Sequence, residues 1–338
     1  MKRTILLAMF ASLFVISASA KQAPEAPERK NWDKEPIYGN VDSLIVTTYY
    51  LPENGEKLVQ DEVLVVKFDE NGNVIERPEW SQNEAGVAIR KYKYNEKGET
   101  VEMLGCMADG SVARKYVYAH DANGKVVEET FYIAPDFTNY DNKLTRVFDE
   151  NGVQKGGSYD CCREDLSYRY DFKYDSKGNR VEELYYYKSN DSLYSHNLVK
   201  YNEKGHIIEI KECDGNGKLT GRRTSKVDEN GNILEQINYN SDGTEHDRVV
   251  MSYNSQGDMT EYSMYRPYSN ILIFNQQIKR NEKGQIIEVY SAQVGYYPEK
   301  TVFKYDSNNN VAEIKTYYCL EKKDLLVSLH KYKFVYRK

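Results

Sequence analysis

The chain reads as an all-β protein, in which tandem β-hairpin repeats of about 26 residues form one long, curled antiparallel meander sheet. Three observations predict this. A turn signature runs aromatic, Asp or Asn, two polar residues, Gly, two apolar residues, Glu. It is complete at Phe68-Asp69-Glu70-Asn71-Gly72-Asn73-Val74-Ile75-Glu76, and its first half recurs at Tyr94–Gly98 and Tyr174–Gly178. Its glycines are phased: Gly72, Gly98, Gly124, Gly152, Gly178, Gly205, Gly231, Gly257 and Gly284, with Asn309 in the next slot, at spacings of 26, 26, 28, 26, 27, 26, 26, 27 and 25. Between the turns, Tyr, Val, Ile, Phe and Thr alternate with charged residues at period 2, and no helical stripe survives the punctuation.

Taken in order, residues 1–20 predict a secretory signal peptide. Met1-Lys2-Arg3 is basic, Ile5 to Ile16 is apolar but for Ser12, and Ala18-Ser19-Ala20 is a small-residue cleavage site. The apolar run is well short of the ~20 residues a membrane span needs. No cysteine follows it, which argues against a lipid anchor. Residues 21–36 carry Pro24, Pro27 and Pro36 among many charges and predict a flexible linker. Residues 37–338 are the β-repeat array, from Tyr38-Gly39-Asn40-Val41 to Lys331–Tyr336.

One unit, residues 109–135, shows the plan. Asp109-Gly110 is a turn, and Val112 to Tyr118 is a strand. Asp121-Ala122-Asn123-Gly124 is a second turn, Lys125 to Ile133 is a second strand, and Pro135-Asp136 turns again. Asp or Asn bonds the backbone that follows it, and Gly takes the positive φ that a bulged hairpin loop demands. The count is about 22 strands. Open twisted sheets rarely exceed ~10 strands without curling, so a trough, a spiral strip or a partly closed shell is expected.

Two side-chain rows accompany the turns. Glu stands four residues past the glycine at Glu76, Glu102, Glu128, Glu182, Glu209, Glu235, Glu261, Glu288 and Glu313. A base precedes the turn aromatic at Lys67, Lys93, Lys173, Lys200 and Lys304. Facing rows of opposite charge offset like-charge repulsion across strands. Tyrosine occurs 31 times against 10 Phe and 2 Trp, a composition suited to a half-buried wall with wet hydroxyls.

The whole chain has 46 bases and 52 acids, and removing residues 1–20 takes only Lys2 and Arg3, which leaves net −8. No basic block appears, which argues against a nucleic-acid or anionic-membrane partner. Cys106 and Cys213 sit eight residues past their glycines, where other repeats place Trp80, Tyr132, Tyr186, Tyr239 and Tyr265. They read as stand-ins for a packed aromatic. With Cys161, Cys162 and Cys319 they do not predict a regular disulfide framework.

The stretch Asp109–Tyr118 followed by Asp121–Val126 resembles the YD repeat of RHS-type proteins, and the Tyr-Asp/Asn-x-x-Gly turn recurs at Tyr174, Tyr201, Tyr253 and Tyr305. The resemblance covers residues 38–336. It implies a continuous β strip wound into a hollow shell, which in large members encloses a C-terminal toxin. Here the period is longer than is usual for that family, the chain is short, and no effector or autocleavage segment is recognised. The resemblance therefore implies a smaller surface or periplasmic scaffold.

No catalytic constellation emerges. The Asp-x-Asn-Gly loops lack the further oxygen ligands of a calcium loop, and the five histidines lack metal-ligand spacing. A row repeated nine times serves every repeat rather than one active site. The expectation is an exported, non-enzymatic protein without cofactor or metal. It is periplasmic, cell-surface or secreted, and it binds a protein or glycan through a Tyr-rich concave wall. The alternative is an accessory or remnant RHS-like shell of a toxin-delivery system. An outer-membrane barrel fits the strand count, but the Lys/Glu-rich strands and a mean hydropathy of −0.75 speak against it.

One repeat breaks the rule. Gly152 is followed by Gly156 where Glu belongs, then by Gly157, Tyr159, Cys161 and Cys162. A strand glycine can mark a bulge or a close backbone approach. Residues 152–163 therefore read either as drift in one repeat or as the candidate ligand-facing site, a bulged and mobile strand. Restoring the consensus with Gly156→Glu and Gly157→Val is expected to raise stability.

Overall fold

The computed structural model describes residues 37–337 apart from 54, 56, 80–85, 136 and 322. The expected signal peptide (1–20), the linker (21–36) and Trp80 lie outside the described residues. Twenty-two strands follow one another. They are β1 (Val41–Tyr50), β2 (Val59–Phe68), β3 (Val74–Pro78), β4 (Ile89–Tyr94), β5 (Thr100–Cys106), β6 (Val112–His120), β7 (Val126–Ile133) and β8 (Asn142–Phe148). Next come β9 (Gln154–Cys161), β10 (Tyr168–Tyr174), β11 (Arg180–Tyr187), β12 (Leu193–Tyr201), β13 (Ile207–Asp214), β14 (Leu219–Val227), β15 (Ile233–Asn240) and β16 (Glu245–Tyr253). The last are β17 (Met259–Tyr265), β18 (Leu272–Arg280), β19 (Ile286–Gln293), β20 (Glu299–Tyr305), β21 (Val311–Tyr318) and β22 (Leu325–Tyr336). The one helical element among the described residues is a single 3-10 turn, Glu164–Leu166.

The repeat turns form as their sequence dictates. At Asp121–Lys125, Asp121 N–H donates to the Lys125 carbonyl, and Gly124 N–H donates to the Asp121 carbonyl. The Asp121 carboxylate accepts from the N–H groups of Asn123 and Lys125 at 2.8 and 2.9 Å. Gly124 holds φ +81°, which an L side chain rarely adopts. Asn309 fills the same slot at φ +67°, as Asn can. Each repeat contains two strands, so these turns all lie at one end of the sheet. The other end mixes longer irregular loops with short turns of the same kind at Met107–Ser111, Asp214–Lys218 and Asn240–Thr244.

Every strand pairs antiparallel with its sequence neighbours, and β22 also pairs with β1 along nine residue pairs, from Val41↔Tyr336 to Tyr50↔Ser328. The sheet is therefore closed. This corrects the expectation of an open curled strip: twist carries the two edges together, and pairing removes two exposed edge strands. Sheet width of about 105 Å, taken as a circular section, leaves a lumen on the order of 20–30 Å between side-chain tips.

One layer cannot bury much, and only 18 apolar side chains are buried among the described residues. The densest group lies at the closing seam, where Leu44 and Val46 of β1 meet Leu64, Val66 and Phe68 of β2, with Tyr332 and Phe334 of β22 against them.

Period 2 sorts the side chains into two faces. One carries the Lys/Glu rungs Lys67↔Glu76, Lys93↔Glu102, Lys173↔Glu182, Lys200↔Glu209 and Lys304↔Glu313. The other carries most of the aromatic rings. Valine exposures tell the faces apart: Val46, Val66, Val249 and Val289 on the aromatic face are 0–7% exposed, while Val63, Val65 and Val147 on the charged face are 39–56% exposed. Side chains converge on the concave side of a closed sheet and splay on the convex side, so the aromatic face lines the lumen. Both faces carry charge along the strands: Arg146, Glu129, Glu183 and Arg223 inside, and the glutamate row outside. Neither is an apolar band suited to hydrocarbon. No helix among the described residues is long and apolar enough to cross a membrane.

Most outer glutamates pair with a base, and Glu76, Glu102 and Glu235 sit between bases from both neighbouring strands. Glu102 meets Lys93 at 2.5 Å and Lys115 at 3.4 Å. Glu235 meets Lys226 and, at 2.7 Å, Arg248. Glu313 meets Lys315 at 2.7 Å and Lys304 at 3.5 Å. Several of these bases also lie over a ring on the next strand: Arg248 is 5.4 Å from the Tyr265 centroid and Arg222 is 5.1 Å from Tyr239. Lys93, Lys226 and Lys315 hold the carboxyls of Glu102, Glu235 and Glu313, in that order, below the usual range, against the opposing effect of burial. A folded pKa below the unfolded one means stability that is present above the ordinary value and lost as pH falls through the folded value. The melting temperature should stay flat from neutral pH to about 5 and fall below about 4. Glu→Gln at all three positions should flatten that fall. Equal melting temperatures at pH 3 and 7 in the native sequence would refute the linkage.

Candidate functional site

The irregular repeat is regular as a strand. β9 pairs with β8 from Cys161 to Gln154, and its single register shift lies just past the turn, as in the other hairpins. It pairs with β10 from Tyr159↔Tyr168 to Gly156↔Asp171. Its glycines answer to packing. A Cβ on Gly157 would lie 2.0 Å from the Thr145 carbonyl oxygen and 2.5 Å from the Tyr170 hydroxyl. A Cβ on Gly156 would lie 2.2 Å from the Tyr170 carbonyl oxygen and 3.1 Å from Asp171 Oδ1. The expected gain in stability from restoring the consensus is therefore corrected: there is no room for it. Asp171 stands in for the missing glutamate, and Arg169 bonds Asp171 and Asp191 (2.5 Å) while its guanidinium lies 3.7 Å from the Tyr186 centroid.

The candidate residues divide between the faces. Gly156 lies on the outer, charged face. Gly157, Tyr159 and Cys161 lie on the lumenal face, and Cys162 is exposed in the loop beyond β9. Cys161 Sγ donates to the Arg163 carbonyl at 2.9 Å. All five cysteines are free thiols, with Cys106 and Cys213 buried at the aromatic position of their repeats.

Gly157 leaves space for a ring. Tyr170 covers it and donates its hydroxyl to the Thr145 carbonyl at 3.1 Å. From Tyr170 an aromatic cluster spreads over β9–β12. Tyr168 stacks on Tyr159 with centroids 5.3 Å apart and meets Tyr185 and Tyr194 edge-on at 6.1 and 6.2 Å. Tyr187 lies 4.9 Å from Tyr194, and Phe172 lies 5.3 Å from Tyr170. Sequence reading noted the tyrosine excess and Tyr159, but not this grouping. The Tyr185-Tyr186-Tyr187 run and Tyr168-Arg169-Tyr170 were the available signals; what gathers them is pairing across two irregular loops.

Polar groups flank the rings. Glu183 accepts from the Tyr185 hydroxyl at 3.1 Å, from Asn197 Nδ2 at 3.0 Å and from Arg180 at 3.0 Å. Arg180 lies 4.4 Å over the Phe172 ring. Burial raises the pKa of Tyr168, Tyr170, Tyr185 and Tyr194, and pushes Tyr94 and Tyr118 elsewhere on this face up to about 12. These hydroxyls stay protonated at neutral pH. Those of Tyr159, Tyr168, Tyr187 and Tyr194 donate to no other described residue. The result is a wall of half-buried rings with free hydroxyl donors beside a carboxylate, an amide and a guanidinium. Among the described residues no cluster of His, Cys, Asp and Glu is arranged to hold a metal ion.

No protein-family model matches the chain, and no curated protein matches it. Among solved structures it is similar to a chain of the Photorhabdus luminescens Tc holotoxin pore, at 11% identity and TM-score 0.36, over 78% of this chain and 16% of that one. It is similar to TcdB2-TccC3, at 10% identity and TM-score 0.37, over 86% and 20%. It is also similar to a porin-like protein from Bacteroides uniformis, at 8% identity and TM-score 0.30, over 88% and 99%. The chain thus spans about a fifth or less of the toxin chains. TM-scores this low do not establish a common fold, and nothing known of those proteins is carried to this one.

Proposed function

We propose that this is an exported, non-catalytic binding scaffold that takes a glycan chain against the tyrosine wall inside its barrel. The observation that carries the reading is the cluster of Tyr159, Tyr168, Tyr170, Tyr185, Tyr187 and Tyr194 beside Glu183 and Asn197. A pyranose ring offers an apolar C–H face to an aromatic ring and hydroxyls to polar neighbours, and this wall supplies both kinds of partner. The row glutamates are paired with bases on the outer face, away from the tyrosine wall, and serve the sheet rather than the site.

The test is a glycan array followed by titration of the best ligand against the native protein and Tyr168→Ala/Tyr194→Ala. The expected result is binding that the double variant weakens at least tenfold, with an unchanged far-UV spectrum. An empty array, or equal affinity in the variant, sinks the glycan reading. In that case capture of a polypeptide that competes at the same tyrosines would identify a protein ligand.

A further inference from the structure

One repeat builds a polar hollow on the outer face. Its rung is the ordinary one: Lys226 and Arg248 flank Glu235, and Arg248 lies over the Tyr265 ring. The same rung stands one repeat earlier in Glu209, Arg222 and Tyr239. Two additions mark the later one. Glu245 pairs with Tyr239 where the earlier repeat pairs Leu219 with Cys213. The β17–β18 loop then reaches back over the rung. The Tyr268 N–H donates to Glu245 Oε2 at 3.0 Å, and Arg248 donates to Asn270 Oδ1 at 3.1 Å. The hollow between them has a volume of about 450 Å³, within the roughly 300–1,000 Å³ of small-ligand sites.

The loop holds one ring there at a conformational cost. Arg266-Pro267-Tyr268-Ser269 is a turn closed by the Ser269 N–H donating to the Arg266 carbonyl at 3.3 Å. Pro presets its first central position. A φ of +53° at Tyr268, the second, makes it type II, where Gly or Asn belongs. The other non-glycine residues at positive φ among the described residues are Asp191 and Asn309, types that tolerate it. The corresponding loop one repeat earlier takes its positive φ with Gly243. Tyrosine costs stability here that glycine would not, and strain of this kind marks a functional position. The ring stands 65% exposed beside the hollow.

We infer that this hollow binds one neutral sugar residue, with the Tyr268 ring against its apolar C–H face. Charge narrows the class: two bases, Lys226 and Arg248, stand with two acids, Glu235 and Glu245, so neither an anion nor a cation is favoured. The groups left to a ligand are of both kinds. Glu245 Oε1 accepts, and Arg248 Nη2 and Asn270 Nδ2 donate, and none of the three is engaged by another described residue. Fixed donors and acceptors beside one exposed ring match the hydroxyls and the apolar face of a pyranose. An apolar ligand would leave them unpaired. The site lies across the sheet from the tyrosine wall, and the inference does not rest on the lumenal reading.

The test titrates the full chain with the methyl glycosides of glucose, galactose, mannose and N-acetylglucosamine, followed by saturation-transfer NMR. At least one should bind, and Tyr268→Gly should weaken it at least tenfold while raising the thermal midpoint, because the turn gains its preferred residue. Glu245→Ala should weaken it as well. Tyr168→Ala/Tyr194→Ala, in the lumen, should leave this affinity unchanged, so the two sites fail separately. Binding of none of the four glycosides overturns the proposal, as does equal affinity in Tyr268→Gly. A lowered midpoint in that variant overturns the strain argument and makes the ring a packing element. Loss of binding in the lumenal variant alone assigns the sugar to the tyrosine wall. Binding of free amino acids in place of the glycosides would make the hollow a zwitterion site and overturn the sugar.

Discussion

Gly156→Glu with Gly157→Val, the change that restores the repeat consensus, is expected to lower the thermal midpoint. Both added Cβ atoms would approach main-chain carbonyl oxygens, at 2.2 and 2.0 Å, and backbone held in a ladder on both sides cannot yield as a flexible side chain would. The valine would also displace the Tyr170 ring, whose hydroxyl anchors to Thr145, and the glutamate would set a second carboxylate beside Asp171. Overpacking of this kind costs about 3 kcal/mol. Calorimetry on the double variant checks it, and a raised midpoint would mean that β8 and β10 separate freely. The substitution should also disorder the tyrosine wall, so near-UV circular dichroism should lose intensity more than the far-UV signal does.

Leu44→Ala should be the most damaging single truncation, at about 3 kcal/mol. Leu44 is fully buried at the seam, between Val66 of β2 and Phe334 of β22. No turn joins β1 to β22, so packing and pairing alone keep the barrel shut. Asn310 supports the same closure. It is fully buried, accepts from the Tyr38 N–H at 2.6 Å, and donates to the Tyr38 carbonyl and the Tyr336 hydroxyl at 3.0 Å each. Leu198→Ala, on the outer face and 39% exposed, should cost under about 1 kcal/mol. Hydrogen exchange should locate the damage: in Leu44→Ala the amides of β1 and β22 lose protection before those of β13 to β16. Uniform loss around the barrel, or equal stability in the two leucine variants, would refute a seam held by packing.

Much of this molecule is local, and what is local was legible. Asp121 and Gly124 set their own hairpin, because the carboxylate and the left-handed φ act within five residues. Each hairpin then brings Lys93 opposite Glu102, and Lys173 opposite Glu182, with no help from elsewhere in the fold. The aromatic phase placed Cys106 and Cys213 in buried positions for the same reason.

Three features were decided by tertiary structure. Closure depends on β1 meeting β22 at the far end of the chain, a pairing that no local pattern encodes. It in turn decides which face is concave, and so which tyrosines crowd into a wall. The glycines of the irregular repeat looked like drift or a mobile bulge. Their cause is the ring of Tyr170 and the carbonyls of the flanking strands, groups that approach them only across the ladder. A repeat specifies its own turns and rungs because those contacts close within one unit. Curvature and lumen belong to the closed sheet, whose contacts join units that the sequence keeps apart.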